Sequence, residues 1–184
     1  YSLIDPDDEG RLIPSGATFA FPGTAVRLHN PLAPERSQMR RTLLPGALRT
    51  ARNNLRFVER VAIFEVGRVH YRSAAPDPAA GQTGVAEPRH LSLLLTGPRQ
   101  GQWFEPTDRS PLDYFDLKGL VEVLLERLTL VDKAQWERGA HPAFHPGRCA
   151  RVVIAEREIG YLGELHPLVR EAFDLPEQPV VLLE

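Results

Sequence analysis

The sequence predicts an α+β domain in which an antiparallel sheet is flanked by helices. Apolar segments rich in β-branched residues come in pairs that read as hairpins, residues 61–71 with 91–96 and residues 150–155 with 158–162. Two segments with apolar residues at three- and four-residue spacing, 46–62 and 116–130, predict helices. Hairpin-joined strands with helices inserted between them indicate an antiparallel sheet covered by helices.

Length and composition place few limits on this domain. The chain has 184 residues, which fits a single domain, 1–184. It contains one cysteine, Cys149, which suits a reducing compartment, and no apolar run approaches the roughly 20 residues that span a bilayer. The first residues lack a signal peptide, and the chain begins without methionine. We therefore expect a cytoplasmic fragment of a longer protein, with no membrane partner.

The first predicted helix carries a second, basic face. Nine arginines stand between Arg36 and Arg72 against only two glutamates, a local excess of seven positive charges. A stripe about 120° from the apolar face, at ~100° per residue, contains Arg49, Arg52, Arg56 and Arg60. Such a stripe is commonly a solvated face. The alternative is a contact surface for an acidic protein or for RNA phosphate.

The remaining segments complete the predicted elements. Residues 1–23 read as irregular, and residues 72–90, rich in Ala, Pro and Gly, predict a mobile hairpin loop. Asp116 is the expected cap of a helix that runs to about Leu130, with Leu117, Leu120, Val121, Leu124 and Leu128 on its core face. His166-Pro167 opens a short helix that reaches about Phe173, and residues 180–183 form a last strand.

Candidate chemistry is sparse. The most suggestive metal set is His141, His145, Cys149 and His166, but Pro142, Pro146 and Gly147 interrupt any helix that would align it. His145 and His166 each precede proline, so they are expected to close turns. Asp113 and Asp116 suit helix capping, and Cys149 suits a structural role beside a buried strand. No phosphate-binding glycine loop is present. We predict no catalytic, cofactor or metal residues.

Several sequence blocks, in order, resemble the core domain of the bacterial phenylalanyl-tRNA synthetase beta subunit. The blocks are VRLHNPL at 26–32, MRRTLLPG at 39–46, FEVGRV at 64–69, LLTG at 94–97, DYFDLKG at 113–119, HPGR at 145–148 and GYLGELHP at 160–167. Departures from the family pattern are Thr42, Leu120, Cys149 and the long 72–90 loop. The resemblance covers nearly the whole chain.

The resemblance implies a class II aminoacyl-tRNA synthetase-like fold that is not catalytic itself. In that family the alpha subunit makes phenylalanyl-tRNA with ATP and magnesium, and this domain pairs with it in a heterotetramer of two alpha and two beta subunits. Tyr71 stands where the catalytic copy would place an ATP-binding arginine, and Arg72 lies one residue further. The segment that resembles motif 1 implies a subunit interface at Met39, Arg40, Leu43, Leu44 and Pro45.

Two alternatives stay open beside this structural and assembly role. Arg49, Arg52, Arg56 and Arg60 are candidates for contact with tRNA or with a protein partner, which would make the domain an RNA-binding module. The other alternative is that the domain is a residual enzyme that keeps an ATP site. The presence of Arg72 at an ATP phosphate would favour this alternative. A site filled by apolar side chains would favour the structural role.

Overall fold

The computed structural model of the chain describes residues 2–73, 84–100 and 108–184. Its four α-helices are α1 Pro6–Arg11, α2 Leu44–Asn54, α3 Tyr114–Arg127 and α4 Pro167–Ala172. Its strands are β1 Leu3–Ile4, β2 Thr24–Ala25, β3 Gln38–Met39, β4 Val61–Arg68, β5 Tyr71–Arg72, β6 Val85–Ala86, β7 Arg89–Thr96, β8 Ala134–Arg138, β9 Phe144–Ile154, β10 Arg157–Leu165 and β11 Val180–Leu183. Short 3-10 helices lie at Pro34–Arg36 and Val131–Lys133.

A six-stranded antiparallel sheet forms the centre of the molecule. Its strand order is β4-β7-β11-β10-β9-β8. Both predicted hairpins are confirmed: β4 pairs with β7 from Val61↔Thr96 to Arg68↔Arg89, and β9 pairs with β10. Strand β8, which the sequence analysis did not identify, adds the edge beside β9. The predicted antiparallel sheet is therefore present, with one more strand than expected.

Helices cover both faces of this sheet, as predicted. On one face α2 and α4 enclose a core that includes Leu48, Leu94, Phe144, Val169 and Leu182. On the other face α3 encloses a core that includes Leu95, Leu117, Val121, Leu162 and Val181. Adjacent residues of β7 and β11 alternate between the two cores because successive strand side chains point to opposite faces.

Helix α2 is shorter than predicted. It ends at Asn54 instead of Ala62, because the chain turns there and enters β4 at Val61. The backbone of Gly97 fixes this turn: a Cβ on Gly97 would lie 2.2 Å from the carbonyl oxygen of Glu59. Arg56 and Arg60 therefore stand outside the helix, and the predicted four-arginine helical stripe is wrong as a single face.

The start of α3 also differs from the prediction. Asp113, not Asp116, is the N-cap, and the two aspartates form a reciprocal capping box. Leu117, Val121 and Leu125 are the buried residues of α3, whereas Leu120 and Leu128 are more than half exposed. The prediction that Leu120 and Leu128 face the core was wrong.

The predicted strand 61–71 is interrupted after Arg68. Tyr71–Arg72 belongs to a separate three-stranded sheet, between Thr24–Ala25 and Val85–Ala86. Regular structure therefore extends into the predicted 72–90 loop from both sides. Residues 74–83, the rest of that loop, lie outside the described residues, and its mobility stays a prediction.

The first residues are more ordered than expected. The irregular segment predicted over 1–23 contains α1, which Asp5 caps by accepting a hydrogen bond from the backbone N–H of Asp7 at 3.0 Å. Pro6 occupies the first helical turn, a position that proline favours. Over residues 2–73, 84–100 and 108–184, no helix has the length and apolar character that a membrane crossing requires.

Candidate functional site

The predicted interface segment lies mostly inside the domain. Leu43 and Leu44 are 0% and 4% exposed, and Leu44 packs in the core under α2. Pro45 and Arg40 are also buried, and Met39 in β3 is half-buried. Leu43 and Leu44 therefore cannot form the centre of an interface in this conformation. The sequence analysis took them for a surface because it could not see that α2 begins at Leu44.

Two buried carboxylates of α1 hold this segment in place. Glu9 accepts hydrogen bonds from the Arg41 guanidinium, at 2.6 Å from Nη2 and 3.0 Å from Nε, and from Gln38 Nε2 at 2.9 Å. Asp8, which is fully buried, accepts from Arg49 Nη2 at 2.6 Å. Burial raises the pKa of Asp8, and Arg49 opposes that rise. Glu9 and Asp8 of the acidic start therefore neutralise Arg41 and Arg49 of the basic middle.

The first turn of α2 binds a third carboxylate. Glu184 accepts hydrogen bonds from the Thr42 hydroxyl at 2.5 Å, from the Leu43 backbone N–H at 2.9 Å and from the Leu44 N–H at 3.2 Å. His90 Nδ1 lies 2.8 Å from the same carboxylate. The free N–H groups of a helix N-terminus attract anions, including phosphate. Here an internal side chain occupies them.

The Arg40 side chain is hydrogen-bonded to strand β4. Its Nη1 donates to Glu65 at 2.6 Å, and its Nε donates to the carbonyl of Arg68 at 3.0 Å. Gly67 makes room for the guanidinium, because a Cβ at that position would lie 2.2 Å from Arg40 Nη2. These contacts fix Arg40 across the face of β4, where it serves packing.

The four arginines proposed for tRNA or partner contact fall into two groups. Arg49 and Arg52 lie on α2, and Arg49 is bound to Asp8 while Arg52 contacts Asp174 at 3.4 Å. Arg56 and Arg60 lie in the turn that follows and are exposed. Among the described residues, neither Arg56 nor Arg60 has a salt bridge or hydrogen bond from its side chain.

The histidines close turns, as predicted for His145 and His166. His145 Nδ1 accepts from the Gly147 N–H at 3.1 Å, and His166 Nδ1 accepts from the Leu168 N–H at 3.1 Å. His141 Nδ1 accepts from the Ala143 N–H at 3.2 Å. The Nδ1 atom of each of these three histidines is therefore occupied. Within the described ranges, no group of three or more His, Cys, Asp or Glu residues is arranged to hold a metal ion.

Burial or a hydrogen bond to arginine shifts the pKa of three other candidate groups. His141 packs against Phe19, Phe144 and Tyr161, and burial lowers its pKa to about 4. Burial likewise raises the pKa of Cys149 to about 11, which disfavours the reactive thiolate. Asp113 and Asp116 both bind the Arg99 guanidinium, and the Arg99 hydrogen bond lowers the pKa of Asp116. These groups are structural.

The position expected for an ATP-binding arginine lies outside the main sheet. Tyr71 is half-buried in β5, and Arg72 beside it is exposed. A separate cavity of about 640 Å³ has Phe19, Phe21, Phe144 and Tyr161 among its lining residues, and neither Tyr71 nor Arg72 lines it. Arg41 also lines this cavity, but its guanidinium is bound to Glu9 and stacks over the ring of Phe21.

An apolar surface that the sequence analysis missed lies on the α3 side of the sheet. Phe64 and Val66 of edge strand β4 are 74% and 62% exposed, and they pair across the strands with Leu93 and Leu91. Leu91 and Leu93 are half-buried and pack against the core under α3. Leu120 and Val123 of α3 are 51% and 54% exposed. The period-2 alternation of Phe64 and Val66 was the available signal. We call the four exposed residues, Phe64, Val66, Leu120 and Val123, the β4–α3 surface.

Comparisons with known proteins agree on one family. The model of the phenylalanyl tRNA synthetase beta chain CLM domain matches residues 1–184. The phenylalanine–tRNA ligase beta subunit of Ralstonia nicotianae is 43% identical over 168 residues, which is 90% of this chain and 20% of that protein. The same subunit of Symbiobacterium thermophilum is 43% identical over 152 residues, 82% of this chain and 16% of that protein. The chain thus spans about a fifth of the length of these relatives.

The comparison with solved structures bears on the fold alone. A crystal structure of pyrrolysyl-tRNA synthetase from Desulfitobacterium hafniense superimposes with a TM-score of 0.68 at 15% identity, over 100% of this chain and 57% of that one. A second structure of that synthetase gives 0.68 at 14% identity, over 100% and 56%. The predicted class II synthetase-like fold is confirmed. The chain belongs to the family of phenylalanyl-tRNA synthetase beta chain CLM domains.

Proposed function

We propose that this chain is a non-catalytic structural and assembly domain of a phenylalanine–tRNA ligase beta subunit. It pairs with the alpha subunit, which carries out the synthesis of phenylalanyl-tRNA from ATP, phenylalanine and tRNA. ATP and magnesium bind to the alpha subunit in this proposal. The complete enzyme is a cytoplasmic heterotetramer of two alpha and two beta subunits.

The binding of three arginines to carboxylates of the same chain supports a non-catalytic role. Phosphoryl and nucleotidyl chemistry requires positioned cations around the reacting phosphate. Arg40, Arg41 and Arg49 each bind an internal carboxylate instead, at 2.6 Å in every case. Glu184 occupies the N-terminus of α2, where a phosphate would otherwise find free N–H groups. A phosphate approaching the N-terminus of α2 would meet the Glu184 carboxylate, and Arg41 beside it is already bound to Glu9.

The β4–α3 surface is the observation that carries the assembly role. Exposed clusters of large apolar side chains on soluble domains mark interaction sites. Fully burying each of four such side chains stabilises a contact by about 1.5–3 kcal/mol relative to exposure. Strand β4 also lies at the edge of the six-stranded sheet, so this side of the molecule is open to a partner. We assign the alpha-subunit contact to this surface in place of Leu43 and Leu44.

The test is co-purification of the alpha subunit with tagged beta subunit that carries Phe64→Asp. Phe64 is largely exposed, so the variant is expected to fold with an unchanged melting temperature. Because the aspartate would be desolvated without a partner in the complex, we expect association to fall at least tenfold, or about 1.4 kcal/mol. Leu168→Asp, at an exposed position of α4, is the matched control and should leave association unchanged.

Three outcomes are decisive for this proposal. Loss of the alpha subunit with Phe64→Asp alone supports it. Equal loss with Leu168→Asp indicates a general effect of added charge and contradicts the assigned surface. Failure of wild-type beta subunit to retain any alpha subunit contradicts the assembly role itself.

A further inference from the structure

The turn between α2 and β4 presents a charged and aromatic group to solvent. Phe57 is 87% exposed, the second most exposed of the large apolar side chains in the described part of the chain. Arg56 precedes it and Arg60 follows it three residues later, and both are exposed. We call residues 55–60 the arginine–phenylalanine turn. Its composition differs from that of the β4–α3 surface, whose four residues are all apolar.

Several contacts hold this turn in one conformation. The backbone N–H groups of Phe57 and Val58 both donate to the carbonyl of Asn54, at 2.8 and 3.1 Å. Gly97 packs directly against the backbone of Glu59 and Arg60, and Leu55 packs on the core under α2. The exposed side chains therefore project from a fixed backbone, so a ligand would not have to order the main chain on binding.

The nearby carboxylates are already paired, which leaves the positive charges available. Glu59, the one acidic residue of the turn, lies 2.6 Å from Arg109 Nη2. Asp174 contacts Arg52. Within the residues that the structure describes, the Arg56 and Arg60 side chains have no carboxylate partner. An exposed aromatic ring between two unpaired arginines combines a stacking platform with phosphate-binding cations, the combination that binds single-stranded nucleic acid.

We propose that the arginine–phenylalanine turn binds an unpaired nucleotide of RNA, with the base stacked on Phe57 and the flanking phosphates bound by Arg56 and Arg60. The proposal rests on the proposed function only for the choice of RNA over DNA, since a subunit of a tRNA ligase works on RNA. Aromatic residues and arginine also occur at protein interfaces, and the test below therefore includes release of the alpha subunit as an outcome. Within this turn the exposed ring of Phe57 lies between two arginines in the sequence, Arg56 and Arg60.

The test measures binding of a fluorescent single-stranded oligouridine, and of an RNA duplex of equal length, to the complete beta subunit in its assembly. The variants are Phe57→Ser and the double variant Arg56→Gln with Arg60→Gln. The matched control is Arg89→Gln with Arg157→Gln, which removes two exposed arginines elsewhere. All variants are first compared by melting temperature. A bromouridine probe and mass spectrometry then identify the cross-linked peptide.

We expect Phe57→Ser to weaken single-strand binding about tenfold, because stacking on one aromatic ring is of that size, and to leave duplex binding unchanged. Removing Arg56 and Arg60 should reduce the slope of log affinity against log salt by about 1.4, or 0.7 per phosphate contact. The control pair should change neither quantity, and the cross-link should lie within residues 55–60.

Two results would overturn the proposal. If the control pair weakens binding as much as the variants of the turn, the attraction is general and this turn is not a site. If Phe57→Ser leaves RNA binding intact and instead releases the alpha subunit, the turn is a protein interface. That second result would leave the assembly role standing and move its surface.

Discussion

Replacing Glu9 with glutamine tests whether the buried charge network organises this domain. Glu9 is 3% exposed and receives hydrogen bonds from both Gln38 and Arg41. Glu9→Gln keeps the size of the side chain, removes its charge and turns amide hydrogens towards the guanidinium of Arg41. Breaking a buried ion pair by removing one partner costs about 3–5 kcal/mol. That is a large share of the ~5–15 kcal/mol by which a domain of this kind is stable.

The measurement is urea unfolding of the chain, followed by far-UV circular dichroism. Asp7→Asn is the control, because Asp7 lies in the same helix but is exposed, and its loss should cost less than ~1 kcal/mol. Replacing Glu9 and Arg41 together by methionine should recover most of the loss, since no unpaired charge is left buried. A loss below ~1 kcal/mol for Glu9→Gln would refute the structural role of this pair.

Three further substitutions test the packing, and the free energy of unfolding is measured for each. Leu44→Asp should destabilise the chain by more than ~4 kcal/mol because the charge enters a core, and a folded Leu44→Asp variant would contradict that burial. Gly97→Ala should cost at least ~1–2 kcal/mol, because its φ of +94° and the Glu59 carbonyl exclude a Cβ; a neutral effect would contradict the close approach. The pKa of His141 is about 4 in the folded chain and 6.5 in the unfolded chain. As the pH falls, the unfolded chain therefore binds a proton at His141 before the folded chain does. Stability should therefore fall by ~1.4 kcal/mol per unit as pH drops from 6.5 towards 4, and His141→Phe should remove that part of the slope.

The sheet was accessible to sequence reasoning because its signals are local. Strand β11 spans the predicted residues 180–183. Helix α4 begins at Pro167, immediately after its N-cap His166, as the His-Pro pair predicts. The two hairpins follow from apolar runs on either side of short or polar connections. Helix α1 carried a signal that was overlooked: Asp5 followed by Pro6 and an acidic first turn is a typical helix start.

The site was less accessible because it depends on distant partners. The periodicity of Leu55 and Val58 extends the first helix to Ala62, and only the contact between Gly97 and Glu59 reveals that the chain turns earlier. The backbone N–H of Leu43 donates to Glu184, which lies 141 residues further along the chain. Glu9 meets Arg41 across 32 residues, and Glu184 meets Thr42 across 142. No local pattern distinguishes an arginine that binds such a partner from one that faces solvent.

Exchange of pyrophosphate into ATP in the presence of phenylalanine tests the central claim most directly. The chain alone should give no exchange above the buffer background, because Arg40, Arg41 and Arg49 are bound internally and Arg72 lies outside the main sheet. Assembled with the alpha subunit, the beta subunit that carries Arg72→Ala should support the same exchange rate as wild type. Exchange by the isolated chain that Arg72→Ala abolishes would contradict the account and establish a residual ATP site.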